Sequence, residues 1–380
     1  MIIKNCKMIF LDKIEEGSIL IKNGKIEKIN PIEYEEEDII DGNGLYLSPG
    51  FIDVHIHGAG GVDTMDGSFE SINLISKILC EHGTTSFLPT TMTCPKDDIK
   101  SALRSIKSAI NRGCEGAAVL GVHLEGPFIS PNMIGAQNPN FVLEPSIDAF
   151  NEIASEYLDI VKVVTLAPEL EGALDLIKYL SEKKIKISIG HSSASFKEAK
   201  EGIKCGCSHA THLFNAMTGL HHREPGIIGA VFDSDITCET ISDGIHVVYP
   251  ALRITYKIKT SDKVLLVTDA MMACAMPEGK YSLGGQDVYV KDGVARIKSG
   301  SLAGSVLTLN KAVRNIKENS PLPLYEIVKM ATYNPARHCG VEDKKGKIEE
   351  GFDADLILFD EDINISRVII NGVVKNKYVR

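Results

Sequence analysis

Residues 51–57, with the sequence FIDVHIH, join a short apolar run to two histidines that lie two positions apart. On a β-strand, residues two apart point to the same face, so His55 and His57 can share one ligand. The spacing fits a metal site and equally fits two polar residues on one strand face. Further ligands elsewhere in the chain would decide between the two.

The same pattern recurs through the middle of the chain, where a short apolar run ends in a polar residue and a helix-like segment follows. Eight such runs lie at residues 51–57, 84–91, 117–125, 161–168, 186–191, 207–214, 237–246 and 264–270. Strands that alternate with helices predict parallel strands joined by right-handed crossovers. Eight of them close into a (β/α)8 TIM barrel, an α/β fold, which we predict for residues 49–344.

The segments between the runs carry helix signals. Residues 68–83 place apolar side chains at helical spacing and end at Gly83, and residues 94–113 begin with Pro95 and acidic residues. The connection that follows residues 211–217 (THLFNAM) is instead rich in glycine and proline. It is the segment that fits the barrel pattern least.

The two ends of the chain differ from the middle. Residues 1–48 and 345–380 have the texture of short strands and turns, and Asn23 with Gly24 is typical of a hairpin turn. Neither segment can bury a core alone, so we predict that together they form a small β-sandwich domain beside the barrel. A further hairpin-like segment, residues 281–297, either joins that domain or covers the barrel mouth.

The composition of the chain indicates which kinds of binding partner and which cellular compartment to expect. The chain has 380 residues and a formal net charge of -10, which disfavours nucleic acid and anionic membranes as partners. An anionic substrate would need a local cationic pocket. The chain shows no apolar run long enough for a membrane span and no signal-peptide pattern, and its nine cysteines form no C-x-x-C pair. We therefore expect a cytoplasmic protein with reduced thiols.

Polar residues finish several of the predicted strands. In TIM barrels the carboxyl ends of the strands and the loops after them build the active site. Imidazole and carboxylate groups are ligands for Zn²⁺ and similar metals, and a nearby carboxylate can act as acid and base. We predict a divalent metal at this end, with Asp269 as the acid/base. The residues concerned are His55, His57, Glu125, His191, His212, His246 and Asp269.

Several of these residues have structural alternatives. Glu125 could contact a helix N-terminus, His191 could lie beside a helix cap, and Asp269 could cap the next helix. His212 and His209 compete for one ligand position, and the spacing favours His212, with His209 behind it. Four further residues are interpreted as structural or as lying at the wrong end of the barrel: His82, His123, His338 and Lys162.

Two loop segments suggest ligand contacts. Arg223, in HHREPG (residues 221–226), suits bidentate binding of phosphate or carboxylate, and the alternative is a surface salt bridge to Glu224. The small residues of LAGS (residues 302–305) allow close approach of the backbone to a ligand.

With these residues in view, the chain resembles the N-acetylglucosamine-6-phosphate deacetylases of the amidohydrolase superfamily over essentially its full length. The combination of HLEGPF, THLFNAM and HHREPG is specific to these deacetylases. The other matching motifs are PGFIDVHIHG, GAQNP, IGHS, SDGIHV, VTDAM, LAGS and GFDADL.

The resemblance implies hydrolysis of the acetamide of N-acetyl-D-glucosamine 6-phosphate to glucosamine 6-phosphate and acetate, in amino-sugar catabolism and cell-wall recycling. It implies one or two divalent cations per subunit, with Zn²⁺ first and Fe²⁺ or another divalent metal as alternatives. Asp269 would activate water and then protonate the leaving amine. The implied metal ligands are Glu125, His191 and His212, with His55 and His57 for a second ion.

The resemblance also implies the substrate contacts and the assembly. Arg223 would reach the site of a partner subunit, so a homodimer is expected. Members commonly carry histidine where this chain has Gln137, which can donate a hydrogen bond but carries no charge, so we expect acyl preference and rate to differ. The implied substrate-binding residues are Ala136, Gln137, Asn215, Ala216, Arg223, His246, Leu302, Ala303 and Gly304.

Three other interpretations compete. A cyclic-amide hydrolase of the dihydroorotase kind would need a lysine at the end of the fourth strand, and VKVVTLAP (residues 161–168) has none there. A deacetylase for the galactosamine epimer differs in one hydroxyl, which no motif distinguishes. A non-catalytic barrel would be expected to lose ligands or the acid/base, and this chain has them all.

Overall fold

The computed structural model describes residues 1–33 and 38–377. Residues 34–37 and 378–380, part of the predicted small domain, lie outside the described residues. The strands are β1 (Ile2–Ile9), β2 (Ile14–Lys22), β3 (Lys25–Ile29), β4 (Ile39–Asp41), β5 (Tyr46–Pro49), β6 (Phe51–Ile56), β7 (Gly58–Ala59), β8 (Val62–Asp63), β9 (Thr84–Thr91), β10 (Ala118–Val119), β11 (Val122–Glu125), β12 (Val161–Leu166), β13 (Lys186–Ile189), β14 (Cys207–Ala210), β15 (Thr237–Ile241), β16 (Val264–Val267), β17 (Gly279–Leu283), β18 (Gln286–Lys291), β19 (Val294–Ile297), β20 (Leu356–Phe359), β21 (Ile365–Ile370) and β22 (Val373–Lys377). The helices are α1 (Phe69–Glu81), α2 (Lys96–Arg112), α3 (Ile147–Ala154), α4 (Ala173–Glu182), α5 (Phe196–Cys205), α6 (Gly226–Phe232), α7 (Tyr249–Lys259), α8 (Leu309–Asn319), α9 (Leu324–Ala331) and α10 (Tyr333–Cys339).

The predicted barrel is confirmed, because each of the eight apolar runs contains one of its strands. The strands pair in parallel in the order β6, β9, β11, β12, β13, β14, β15 and β16. A bridge between Ile56 and Ala270 and a 2.9 Å hydrogen bond from the Asp269 N–H to the His55 carbonyl link the last strand region to the first. The ring is therefore nearly closed, and its carboxyl ends form one mouth.

Burial explains why these runs form strands of a parallel barrel. All eight residues of β9 are buried, as expected for a strand covered on both faces. Helices cover the outside and begin at recognisable caps: Ser195 and Glu198 form a capping box at the start of α5. The connection that fitted the pattern least does contain a helix, since α6 follows the loop after residue 217.

The small β-domain is confirmed, and hydrogen bonds connect its strands into one eight-stranded sheet built from both ends of the chain. Alternation along β20 places Leu356 and Leu358 in the domain's own core, while Ile357 and Phe359 join the barrel core. The hairpin turn at Asn23 and Gly24 has φ values of 51° and 75°, as a type I′ turn requires. The division of the chain at residues 48/49 and 344/345 stays a prediction.

Strands β17, β18 and β19 form a three-stranded antiparallel sheet, named here the flap, that covers the barrel mouth. Its buried residues Leu283 and Val288 pack against Met92 and Met271, which lie just beyond β9 and β16. Of the two positions considered for residues 281–297, the structure therefore has the one at the mouth.

Two findings bear on the expected location. All nine cysteines are free thiols. None of the helices in residues 1–33 and 38–377 is long and apolar enough to cross a membrane.

Candidate metal centre at the barrel mouth

Four imidazoles from three strand ends converge on the carboxylate of Glu125, the last residue of β11. Its Oε1 lies 3.0 Å from His212 Nε2 and 3.3 Å from His191 Nε2. The same oxygen lies 3.4 Å from His55 Nε2, and Oε2 lies 3.3 Å from His57 Nε2. The paired histidines of FIDVHIH are therefore part of a larger cluster. The roles of these residues as metal ligands stay predictions.

Hydrogen bonds behind the imidazoles set the tautomers of three of them. Nδ1 of His191 lies 2.9 Å from the Met133 carbonyl, and Nδ1 of His57 lies 3.2 Å from the Thr90 carbonyl. Nδ1 of His55 lies 2.9 Å from the Glu239 carboxylate. Because carbonyl and carboxylate oxygens only accept, each Nδ1 donates, and each neutral ring then turns an Nε2 lone pair toward Glu125.

This arrangement fits a divalent cation. Lone pairs and carboxylate oxygens face one another, with Nε2 of His191 and of His212 only 3.2 Å apart. The buried Nε2 of His55 has no hydrogen-bond partner among the described residues. A buried cluster of acceptors is unfavourable unless a cation or protons lie among them. Nitrogen and oxygen donors of this kind suit Zn²⁺ and related ions.

The donor atoms form two ligand sets that share Glu125. In each set the donor atoms lie within 4.8 Å of one another. The sets are His55, His57 and Glu125, and Glu125, His191 and His212. A third set of this compactness contains His123, but both nitrogens of that ring are hydrogen-bonded, to the Val54 carbonyl at 3.1 Å and to Thr165 Oγ1 at 2.7 Å. These two bonds support the structural role predicted for His123, which stays a prediction.

Electrostatics of the cluster favour positive charge. Burial opposes the charged form of His57, yet hydrogen bonds to Asp269 and Glu125 outweigh it and raise the pKa of the ring to about 10. The pKa of His191 is also raised, because Glu125 outweighs the effect of burial. Without a metal, the cluster therefore holds protons at neutral pH, and a metal ion must displace them.

Asp269 lies beside the cluster in a strained backbone conformation. Its Oδ1 is 3.2 Å from His57 Nε2 and 3.6 Å from His55 Nε2. Burial alone would raise the pKa of this carboxyl, but His55 and His57 hold it below its ordinary value. Its φ is 48°, and His191 and His212 also have positive φ values, of 46° and 26°. Such strain is concentrated at functional sites.

The helix-cap alternative for Asp269 does not apply, because the next regular element after it is strand β17. Its backbone is used differently. The Asp269 N–H donates to the His55 carbonyl, and the Asp269 carbonyl accepts from the Ser305 N–H at 2.7 Å. These bonds fix Asp269 between the first strand and the loop that follows the flap.

Glu239, on β15, is a central residue that the sequence analysis missed. Its Oε2 accepts from His55 Nδ1 at 2.9 Å and from the His212 N–H at 3.0 Å, and its Oε1 lies 3.3 Å from His209 Nε2. Glu239 thus holds two candidate ligands and links His209 to the backbone of His212. The supporting role of His209 stays a prediction. A carboxylate inside an apolar strand run is the signal that could have revealed it, since a buried charge must be paired.

A cavity of about 440 Å³ opens above the cluster. Of the predicted substrate-binding residues, Ala136, Gln137, Asn215, Ala216, His246, Leu302 and Gly304 line this cavity, together with His57, Glu125, His191, His212 and Asp269. His246 is held by Asp243, whose Oδ2 lies 2.7 Å from Nδ1, which leaves Nε2 for a ligand. The fully buried Ala303 belongs to the flap core, behind the lining residues.

Arg223 is not part of this cavity. It is exposed on its loop, where Nη1 lies 3.0 Å from His222 Nε2. Glu224 does not supply the salt bridge considered for Arg223, since its carboxylate accepts from the backbone N–H of Phe196 at 2.8 Å. Within one subunit, the described structure brings Arg223 to no other predicted site residue.

Comparisons with known proteins agree with this geometry. A family model described as the amidohydrolase family matches residues 46–375. The N-acetylglucosamine-6-phosphate deacetylase of Lysinibacillus sphaericus is 40% identical over 363 residues, which cover 95% of this chain and 94% of the relative. The N-acetylgalactosamine-6-phosphate deacetylase of Escherichia coli O157:H7 is 36% identical over 360 residues, covering 94% of both chains.

A solved structure shares the whole fold. It is that of a mutant N-acetyl-D-glucosamine-6-phosphate deacetylase from Mycobacterium smegmatis in complex with N-acetyl-D-glucosamine 6-phosphate. The two folds match with a TM-score of 0.93 at 27% sequence identity, covering 99% of each chain.

Proposed function

The chain belongs to the amidohydrolase family, and we propose that it hydrolyses the acetamide of N-acetyl-D-glucosamine 6-phosphate to glucosamine 6-phosphate and acetate. The observation that carries this proposal is the cluster of imidazole lone pairs around Glu125, with the ionised Asp269 beside it in a cavity of about 440 Å³. A divalent metal site and a carboxylate that can act as acid and base are the groups that hydrolysis of an amide by water requires. We place the reaction in amino-sugar catabolism and cell-wall recycling.

The residues divide the chemistry between them. A divalent cation held by Glu125, His191 and His212 would polarise the amide carbonyl and lower the pKa of water. Asp269 takes a proton from the attacking water as oxygen bonds to the carbonyl carbon. It returns the proton to nitrogen as the C–N bond breaks, which releases acetate and the amine. In the metal-free protein, His55 and His57 hold the pKa of Asp269 below its ordinary value and so favour its ionised form.

Zinc is the metal we propose, because imidazole and carboxylate groups are its usual ligands in catalytic sites. Fe²⁺ suits the same donors. A second ion would use His55 and His57 and share Glu125, as the two compact ligand sets suggest. Metal analysis of purified protein measures both identity and number.

A homodimer would supply the positively charged side chain that the cavity lacks. The described residues that line the cavity include no lysine or arginine, although the proposed substrate carries a phosphate. Arg223 lies on an exposed loop, and the apolar residue Leu220, three positions before it on the same loop, is 61% exposed. We propose that a second copy of the chain covers this surface and that its Arg223 binds the phosphate in the neighbouring site.

The galactosamine epimer is a second candidate substrate. It is favoured by the relative from Escherichia coli O157:H7, which is 36% identical and is named for that substrate. The epimers differ in the orientation of one hydroxyl, so the same metal centre and the same Asp269 would serve both.

Acetate release tests the proposal. The assay compares N-acetylglucosamine 6-phosphate, its galactosamine epimer and unphosphorylated N-acetylglucosamine, each with and without a chelator. Fast release from the glucosamine phosphate alone, abolished by the chelator, is the expected result. Faster release from the galactosamine phosphate would establish the second candidate, and no release from metal-loaded protein with any of the three would refute both.

A further inference from the structure

We infer that Gln137 is a positioning residue that fixes the carboxylate of Glu125, and through it the geometry of the candidate metal centre. The role predicted for Gln137 was contact with the substrate. Only the predicted effect on turnover rests on the proposed function. Its effect on metal binding can be measured without any substrate.

The hydrogen bonds of the Gln137 amide have an unambiguous polarity. Its Oε1 accepts from the backbone N–H of Thr93 at 2.7 Å, and its Nε2 donates to Glu125 Oε2 at 2.7 Å. A backbone N–H can only donate and a carboxylate can only accept, so the amide cannot be turned around. Gln137 is only 3% exposed, so both bonds are shielded from water.

The two bonds connect neighbouring strands at the mouth of the barrel. Thr93 lies two residues beyond the end of β9, and Glu125 is the last residue of β11, which pairs with β9. The amide therefore bridges two strand ends from a loop. A side chain held at both ends in this way has little rotational freedom, so it can determine the orientation of what it binds.

Glu125 needs such a constraint on one oxygen. Its Oε1 lies within 3.4 Å of Nε2 of His55, His191 and His212. In the described part of the chain, Oε2 contacts His57 Nε2, at 3.3 Å, and Gln137 Nε2, at 2.7 Å. A carboxylate shared by both ligand sets must keep Oε1 toward three imidazoles and Oε2 toward His57. The charge-assisted bond from Gln137 to Oε2 opposes rotation of the carboxylate.

The loop that carries Gln137 is itself attached to the flap. Nε2 of Gln286, on β18, donates to the Ala136 carbonyl at 2.6 Å. Gln286 therefore anchors the same loop without touching Glu125. It offers a matched control, because the same substitution at Gln286 removes loop anchoring alone.

Histidine offers the same two hydrogen-bonding functions. A neutral ring can accept at one nitrogen and donate from the other. A methionine can do neither, and a glutamate can donate to Glu125 only when it is protonated. These three substitutions therefore separate hydrogen-bond donation from side-chain size.

The experiment titrates metal-free protein with Zn²⁺ against a competing chelator, for wild type, Gln137→Met, Gln137→His, Gln137→Glu and Gln286→Met. We expect Gln137→Met to bind zinc on the order of 10- to 100-fold more weakly, as for other residues that orient metal ligands. Gln137→His and Gln286→Met should bind like wild type. Gln137→Glu should bind zinc more weakly than wild type, because an ionised carboxylate cannot donate to Glu125.

Kinetics provide the second measurement, on enzyme saturated with zinc. A positioning role predicts that Gln137→Met lowers kcat and leaves KM nearly unchanged. Wild-type zinc affinity in Gln137→Met, or an equal loss in Gln286→Met, would overturn the inference. So would a rise in KM alone, which would assign the amide to the substrate. If Gln137→Met fails to fold, wild-type zinc affinity in Gln137→Glu, which cannot donate to Glu125 when ionised, would overturn it equally. Failure of the proposed substrate would leave the zinc titration valid.

Discussion

At the scale of single residues, the candidate ligands are oriented by groups behind them. Glu239 holds His55 and the backbone of His212, Gln137 holds Glu125, and the Met133 carbonyl holds His191. Each of these bonds decides which atom of a ligand faces the centre. Loss of one such bond should therefore weaken metal binding although the ligand itself remains.

Substitution of Glu239 by glutamine tests this view. The carboxylate accepts from three donors, whereas the amide keeps one oxygen and turns an NH₂ group toward another donor. We expect zinc affinity to fall on the order of 10- to 100-fold. The measurement is metal content after dialysis against a chelator. Glu198→Gln, the same change at the exposed cap of α5, should retain its metal, and an equal loss in both would count against a specific role.

At the scale of elements, the sequence patterns located the barrel strands but not every partner of the site. Buried parallel strands are continuous apolar runs with polar ends, so all eight strands and the residues at their carboxyl ends were predictable. Glu239 was missed because it lies inside such a run, where no end marks it. The flap was recognisable as a hairpin from its sequence. Alternation of apolar and polar residues indicates that a segment is a strand, but it does not indicate which surface the strand packs against. Its position depends on contacts with Met92 and Met271, far away in the sequence.

The flap should unfold together with the barrel. Leu283 is 3% exposed and packs in the apolar cluster between flap and barrel. We expect Leu283→Ala to lower the free energy of unfolding by about 2–5 kcal/mol, as for other buried leucines. Denaturant titration measures the change, and Tyr289→Ala, on the exposed face of the flap, is the control. A loss below about 1 kcal/mol would show that the flap opens by itself.

At the scale of the whole molecule, the two ends of the chain meet in one sheet. Its strand β5 leads directly into the first barrel strand, β6, and strands β20–β22 come from the C-terminal part of the chain. Lys345 lies between this sheet and the barrel, 3.0 Å from Asp353, and it also binds the buried Asp355. Burial alone would raise the pKa of Asp353, but Lys25 and Lys345 hold it below its ordinary value. The ionised form of Asp353 therefore stabilises the fold above the carboxyl pKa of the unfolded chain, about 4, and this contribution is lost as the pH falls further.

Removal of Lys345 should destabilise the junction between the two parts. Lys345→Met leaves Asp355 buried without its cation, which costs about 3–5 kcal/mol for a broken buried pair. Because Lys345 helps to hold the pKa of Asp353 below its ordinary value, the difference from wild type should persist above about pH 4 and shrink as the pH falls below it. Denaturant titrations between pH 7 and about pH 3 measure it. Lys347→Met, at a surface pair with Glu349, should change stability by less than about 1 kcal/mol. A deficit that grows in acid would contradict the assignment.

Asp269→Asn tests the central claim most directly, that a metal centre and the Asp269 carboxylate together hydrolyse the acetamide. The measurement is acetate release from N-acetylglucosamine 6-phosphate at equal bound metal, for wild type and the variant. Loss of the proton acceptor predicts that kcat falls on the order of 10²- to 10⁴-fold while metal content and fold are retained. Near-wild-type turnover in the metal-loaded variant would remove Asp269 from the mechanism and contradict the account.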